Sequence, residues 1–536
     1  MQSMMGRHRP LIMGRKGAVG ANHPMATQAG LDILRAGGTA VDAAVAVSLA
    51  LGVCEPMMSG LGGDGFFHVF DGATGRAVVF NGTGAAPGGA TAERFAGGVA
   101  VTGALSVSVP GCLAGVGAMH AAQGRMAWAE LARAAIGLAR DGFAVTHKHV
   151  QIAEENRARL AADGRSGGVF LGQGLGGLVF QEDLARTLEE IAADGAETFY
   201  RGRLARRLVK GMAEAGGMVT EADLAGCFAE VQQPIGIGYR GWNISQTGPN
   251  STGFTMLQML KIAERFDLAG LSPAERVHVL VEAKKLAFVD RERWGADPRF
   301  ESVPLERLLS DAHADGLAAR IDMRRAARME LPVAAAAGDT TYFCVVDAEG
   351  NAVSAIQSLN SGWGSGVTAG DTGVLMNNRM AYWHVAPGHA NRLVPGKRVR
   401  HTMNAPMVLK DGKLVAVLGT PGADNQVQVN AQVVMAMLDL GADPQTALEL
   451  PRWTSNQAGQ GANWPHEGDE ALSIEVDHGE VDHGEEVLAD LAGRGHLIKR
   501  LAHLEGPCAM QAIRVLDNGV RMAGSDPRRD GWAGAY

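Results

Sequence analysis

The chain has 536 residues, 46% of them hydrophobic, with 49 Lys and Arg against 57 Asp and Glu and a formal charge of −8. That length allows two or more hydrophobic cores, and the acidic balance gives no general attraction to nucleic acid or to an anionic membrane. Five scattered cysteines (Cys54, Cys112, Cys227, Cys344, Cys508) form an odd set without C-x-x-C spacing, which argues against a disulfide framework or a zinc knuckle and fits a reducing compartment.

The first stretch, "MQSMMGRHRPLIMGRKGAVG", is basic but lacks an apolar core of signal-peptide length. No apolar run reaches the ~20 residues of a spanning helix, so a cytoplasmic protein without a membrane partner is expected. "NHPMATQAGLDILRAGGTAVDAAVAVSLALGV" sets small and apolar residues at helical spacing, interrupted at Gly37 and Gly38, and predicts two packed helices. "GFFHVFDGATGRAVVFNG" predicts a hairpin. From about Ala127 to Glu264 the pattern reads as mostly helical, with "LARTLEEIAADG" and "LARRLVKGMAEAGG" both stopping at glycine. "AERVHVLVEAKKLAFVDRERWGAD" predicts a long helix.

Between Met323 and Gly338, "MRRAARMELPVAAAAG" loses periodicity and reads as an exposed linker. Hairpins follow: "TYFCVVDAEGNAVSAIQS", then "PMVLKDGKLVAVLG" with a two-residue Asp411-Gly412 turn. A Gly-rich corner, "GTPGADN", leads into the helix "QVQVNAQVVMAMLDLG". Strands and many helices in one chain imply a layered α/β or α+β architecture.

Four motifs invite chemistry that their context does not support. "GLGGDG" at 60–65 matches G-x-G-x-x-G, but a helix precedes it and a strand follows, the reverse of a dinucleotide site. "GRSGG" at 164–168 matches G-x-S-x-G, yet follows a polar helical segment rather than an apolar strand, so Ser166 reads as a loop residue. "EVDHGEVDHGEEV" gathers His478, His483 and several acids, and reads as a solvated surface segment before a helix rather than a metal site. His278 and Glu282 lie one helical turn apart, a spacing that more often reflects packing than ligation.

Thr340 and Thr341 open the hairpin directly after the linker. Threonine pairs are ordinary strand composition, but a cut before Thr340 would give an N-terminal threonine whose own amine can act as base for its hydroxyl. A free α-amine in a peptide titrates near ~7.7–8.0, so much of it can be neutral around neutral pH.

"TTYFCVVDAEGNAVSAIQSLNSGWGSGV" resembles the small-subunit start of the γ-glutamyltransferase family, within the N-terminal-nucleophile hydrolases. "GLDILRAGGTAVDAAVAVSLALGVCEP", "GLGGDGFF", "SVPGCLAG", "LARDGFAV", "GGMVTEADLA", "NSTGFTMLQML", "TGVLMNNRM", "PGKRVRHTMN", "GTPGAD" and "GSDPRRDGWAGAY" follow the family's order almost end to end. The resemblance implies an α+β fold, the four-layer αββα sandwich of that superfamily, and an inactive precursor. Self-cleavage between Asp339 and Thr340 would leave a large chain (1–339) and a small chain (340–536) associated in one catalytic domain. Thr340 is then the expected nucleophile, Ser358 stands where a threonine hydroxyl assists it, and Asn360 where an asparagine lies near its amine. Gly422 and Ala423 match the glycine pair whose amides form the oxyanion hole.

The substrate clamp departs from the family. Thr83 in "FNGTGAAP" stands nearest the place of the arginine that holds the substrate α-carboxylate. Arg379 replaces a glutamine, Tyr382 replaces the acid that grips the α-amino group, and His401 and Thr402 replace paired serines. The cation has moved and the anion is gone, so an ammonium group would lack its counter-charge, whereas Arg379 could hold a planar carboxylate in bidentate fashion. The expected activity is that of an amidohydrolase or acyltransferase on small carboxylate-bearing amides, oxamate-like or glutaryl-like. No metal and no cofactor are required, and the partners are the substrate and the two chains themselves, with further homo-oligomers left open. The alternatives are a true γ-glutamyl peptide hydrolase with a rearranged clamp and a metabolite-binding paralogue that never matures.

Overall fold

Phe66 and Phe67 are adjacent and both wholly buried, Phe67 against helices and Phe66 between two sheets. The same alternation runs through the central strands. Phe343 and Val345 face the helical layer, while Tyr342, Cys344 and Val346 face the other sheet. A strand covered on both sides loses the polar half of its pattern and reads as a continuous apolar run.

The computed structural model describes residues 8–328, 339–456, 471–476 and 484–536. The expected linker from 329 onward and the surface histidines His478 and His483 lie outside the described residues.

Two seven-stranded antiparallel sheets form the centre. One runs, in spatial order, Ile12–Gly14, Arg521–Ser525, Gln511–Val515, Lys413–Gly419, Met407–Lys410, Trp242–Gln246 and Ile235–Tyr239. The other runs Trp532–Ala535, Ala18–Ala21, Asp339–Val346, Ala352–Asn360, Asp64–Asp71, Arg76–Gly82 and Glu230–Gln232. Both sheets therefore mix strands from before and after residue 340. Their facing sides enclose Phe66, Tyr342, Ile356, Met407, Val417 and Ile513. Helices Pro24–Arg35 and Ala40–Cys54 cover the second sheet, and Gly253–Ala263 and Asn425–Leu438 cover the first. This is the expected αββα sandwich.

Local chemistry explains the element ends. Thr39 and Asp42 make a reciprocal capping box on Ala40–Cys54, and Ser272 and Glu275 do the same on Pro273–Trp294; each such N-cap is worth about 1 kcal/mol. The Asp411-Gly412 turn has φ of 50° and 73°, the left-handed pair a two-residue hairpin demands. All five cysteines are free. Among the described residues no helix is long and apolar enough to cross a membrane.

Two expectations are corrected. The stretch 127–264 is mostly helical as its pattern reads, but Glu230–Gln232, Ile235–Tyr239 and Trp242–Gln246 are strands that the reading passes over. Their signal was the alternation in "IGIGYRGWNISQ" around Arg240-Gly241, whose φ values of 51° and 80° mark another tight hairpin. Ser166 is not a loop residue: it lies in the short helix Gly164–Phe170, buried, with its hydroxyl bonded to Asp163 and to Thr368 at 2.8 Å each.

Candidate active site

Strand Asp339–Val346 pairs with Ala352–Asn360, and the register slips at its start: Asp339 faces Asn360, but Thr341 already faces Gln357. Two residues, Ser358 and Leu359, thus oppose Thr340 alone, a bulge of the kind that re-aims a side chain. Thr340 is 3% exposed, and its hydroxyl donates to Ser358 Oγ at 3.2 Å. Ser358 Oγ also accepts the Asn360 amide at 2.8 Å. Asn360 leaves the strand at φ 92°, a region asparagine tolerates better than most residues, and its Nδ2 donates to the Asn378 carbonyl at 3.2 Å.

Arg379 opens a short 3-10 turn, Arg379–Tyr382, and is buried at 1% exposure. One guanidinium nitrogen donates to Asn360 Oδ1 at 3.0 Å, and the guanidinium lies 5.0 Å over the Tyr382 ring. Its Nε is 3.4 Å from Asp64 Oδ2, close enough for charge attraction but not aligned as a hydrogen bond. His401 Nε2 is 3.7 Å from that oxygen, and its ring meets Phe66 edge-on. Tyr382, in turn, bonds to Thr402, and its phenol is pushed up to about 12, chiefly by burial. Burial drives His401 far below its usual range, with Arg379 and Arg398 adding to the effect.

A buried carboxylate, Asp64, therefore stands beside Arg379, where the sequence pattern shows no acid. It belongs to "GLGGDG", whose match to a nucleotide motif draws attention to its glycines and away from its acid. Strand register sets Asp64 opposite Ser358. The glycine before it lets the backbones close up, since a Cβ at Gly63 would overlap the Ser358 carbonyl. Burial pushes the Asp64 carboxyl up to about 6, against the pull of Arg379 and the Gly84 amide, which donates to Oδ1 at 2.7 Å. Thr83, one residue before Gly84, is occupied otherwise: its hydroxyl donates to Asn81 at 2.7 Å and accepts from Asn250 at 3.2 Å.

The corner after Lys413–Gly419 holds Gly422 at φ 126° and Ala423 at φ 49°. A side chain at 422 would strike Cys508 Sγ, so this position needs glycine on two counts. The two carbonyls accept the amides of Asn425 and Gln426 at 2.9 and 3.1 Å, folding the corner into the helix start. Asp424 next door is paired with buried Arg291; Arg291 also bonds Glu292 at 2.6 Å, which accepts from Arg400 at 3.0 Å. This buried ion network braces the corner from behind and holds the Glu292 carboxyl down at about 2 through Arg400 and Arg291, against the cost of burial.

Among the described residues two groups have metal-like composition. His278 and Glu282 are joined by His496, all buried. The cluster closes on itself. His278 Nε2 donates to the Asp322 carbonyl at 2.9 Å and His496 Nε2 donates to His278 Nδ1 at 2.8 Å, while Glu282 accepts Lys285 at 2.8 Å and the Ala327 amide at 3.0 Å. An ammonium already holds the carboxylate a cation would use, in keeping with a packing role. Glu292 lies near the stacked rings of His384 and His389, but carries two arginines.

A family model described as gamma-glutamyltranspeptidase matches residues 26–536. The chain is 38% identical over 534 residues to the glutathione hydrolase-like YwrD proenzyme of Bacillus subtilis, covering 97% of this chain and 99% of that one. It is 34% identical to the oxamate amidohydrolase proenzyme of Klebsiella pneumoniae, over 96% and 98% of the two chains. The crystal structure of cephalosporin acylase from Bacillus halodurans superposes with a TM-score of 0.90 at 31% identity, over 100% of this chain and 99% of the other. Each of these three relatives is named as an enzyme. The chain belongs to the gamma-glutamyltranspeptidase family and is an enzyme of the N-terminal-nucleophile hydrolase type.

Proposed function

We propose that the chain cuts itself between Asp339 and Thr340 and then uses Thr340 to cleave small amides whose acyl part bears a carboxylate. The observation that carries this reading is the bulge at Thr340, with its hydroxyl on Ser358 and Arg379 three contacts away through Ser358 and Asn360. In the precursor, Thr340 Oγ1 attacks the Asp339 carbonyl carbon, the C–N bond breaks, and the nitrogen takes a proton. Water hydrolyses the ester, freeing the Thr340 amine and hydroxyl. In turnover that amine accepts the hydroxyl proton as Oγ1 attacks the substrate carbonyl, and returns it to the departing amine. The amides of Gly422 and Ala423 receive the oxyanion; one such donor is typically worth about 2.7–4 kcal/mol. Water or a second amine then takes the acyl group from Thr340. The large chain is 1–339 and the small chain 340–536.

Arg379 and Tyr382 hold the acyl carboxylate in this reading, with His401 and Thr402 completing the wall. Relatives named for oxamate and for cephalosporin acyl chemistry support carboxylate-bearing donors. One observation favours the rival: Asp64 beside Arg379 restores a cation–anion pair that could hold a γ-glutamyl zwitterion, and a relative is named glutathione hydrolase-like. Parallel rates on γ-glutamyl and glutaryl anilides and on oxamate separate the two. Strong preference for the γ-glutamyl compound sinks the carboxylate reading. N-terminal sequencing of active protein must also find a second chain starting Thr-Thr-Tyr-Phe.

A further inference from the structure

Unmet polar atoms gather beside Thr340. Asp64 Oδ2, Arg379 Nε and Nη2, and both ring nitrogens of His401 are buried without a hydrogen-bond partner. Asp64 Oδ2 faces Arg379 Nε at 3.4 Å and His401 Nε2 at 3.7 Å, so they meet by charge and not by a made hydrogen bond; buried polar atoms in folded proteins are nearly always bonded, and such a cluster is one that a polar ligand can complete. The cluster is one strand from the nucleophile, because Asp64 faces Ser358 in register and Ser358 receives the Thr340 hydroxyl.

The difficulty is electrostatic. A carboxylate ligand on Arg379 arrives where a carboxylate already stands, and two anions sharing one buried guanidinium cannot both stay ionised. The protein offers one place for the needed proton. Asp64 Oδ1 is committed to the Gly84 amide, which leaves Oδ2, facing Arg379 and His401, to take it. His401 is a poor acceptor, buried between Phe66 and two arginines that oppose its charging. The other groups near Asp64 are Arg398, whose charge favours the carboxylate, and Cys112, Cys227 and Tyr200, which burial keeps protonated.

We propose that the Arg379 subsite takes its carboxylate together with one proton, which Asp64 holds on Oδ2 while the ligand replaces it as counter-ion to the guanidinium. Asp64 is then a selectivity residue: it admits acyl carboxylates by exchange and stays ionised when none is bound. This rests on the carboxylate reading above. Burial already lifts the Asp64 carboxyl to about 6 in the unliganded protein, so the exchange costs little near neutrality. Above that range, affinity for a carboxylate falls about tenfold per pH unit.

The test is calorimetric titration of glutarate into mature wild-type enzyme at pH 7.5, in buffers of different ionisation heat, and into the D64N variant. Wild type is expected to take up close to one proton per glutarate, with its Kd weakening about tenfold from pH 7 to pH 8. D64N is expected to bind without uptake and without that pH dependence. Glutarate binding by wild type without proton uptake overturns the exchange and leaves the carboxylate reading intact. Uptake that persists in D64N assigns the proton elsewhere and overturns the role of Asp64. If glutarate fails to bind at pH 6.5 as well, the carboxylate reading itself falls and the exchange with it. Should D64N not mature into two chains, the wild-type proton count decides alone.

Discussion

Two buried polar clusters invite the same first guess and turn out to be opposites. Asp64, Arg379 and His401 sit with five polar atoms unmet, whereas His278, Glu282, Lys285 and His496 leave none of theirs buried without a partner. Both combine acids, bases and histidines under a few percent exposure. What separates them is the direction of their hydrogen bonds. The second cluster spends its donors and acceptors on one another and on the backbone of Asp322 and Ala327. The first holds its members by charge alone, across the strand that receives the Thr340 hydroxyl. Composition nominates a site, and unpaired valence decides it.

Four experiments sharpen or break that contrast. Thr340→Ala should abolish turnover, by about a thousandfold or more, and should abolish the splitting of the 56.0 kDa chain into bands of roughly 35 and 21 kDa on a denaturing gel. A mutant that still splits is being cut by something else. Arg379→Met should lower kcat/KM on glutaryl amides by about thirty- to a hundredfold (~2–3 kcal/mol), and far less on an uncharged butyryl amide; equal losses on both would mean a structural role.

Glu282→Gln should do the reverse. It removes the carboxylate that pairs with the Lys285 ammonium, buried at 1%, and should cost roughly 3–5 kcal/mol in urea unfolding while leaving kcat of the folded enzyme unchanged. The smallest effect is a pH slope. Burial, with Lys285 and His278 adding to it, pulls His496 down to about 3 from an ordinary 6.5. The unfolded chain therefore binds the proton first as pH falls below about 6.5, and stability drops by at most ~1.4 kcal/mol per pH unit toward 3. His496→Gln should flatten that part of the urea-midpoint profile.

Much of this was legible in the sequence because it is local. Helix pairs, hairpins and the Asp411-Gly412 turn announce themselves through periodicity and turn residues, and Thr340, Ser358 and Asn360 lie within one hairpin. Asp64 was not legible. Its meaning depends on strand pairing with Ser358 across 294 positions of chain, and its place among glycines looked like backbone grammar. The bulge at Thr340 was hidden for a similar reason, since a register slip leaves no mark in composition. The strands at 230–246 were masked by helical neighbours on either side.

The interleaving of the two sheets bears on what a cut at residue 339 would release. Ala18–Ala21 is zipped on one side to Asp339–Val346 and on the other to Trp532–Ala535, so a piece from the front of the polypeptide is gripped between two from the back. Scission there severs one covalent link and leaves every rung of that ladder in place. Pulling the fragments apart would mean ripping out the middle of a sheet, so dilution alone should never part them.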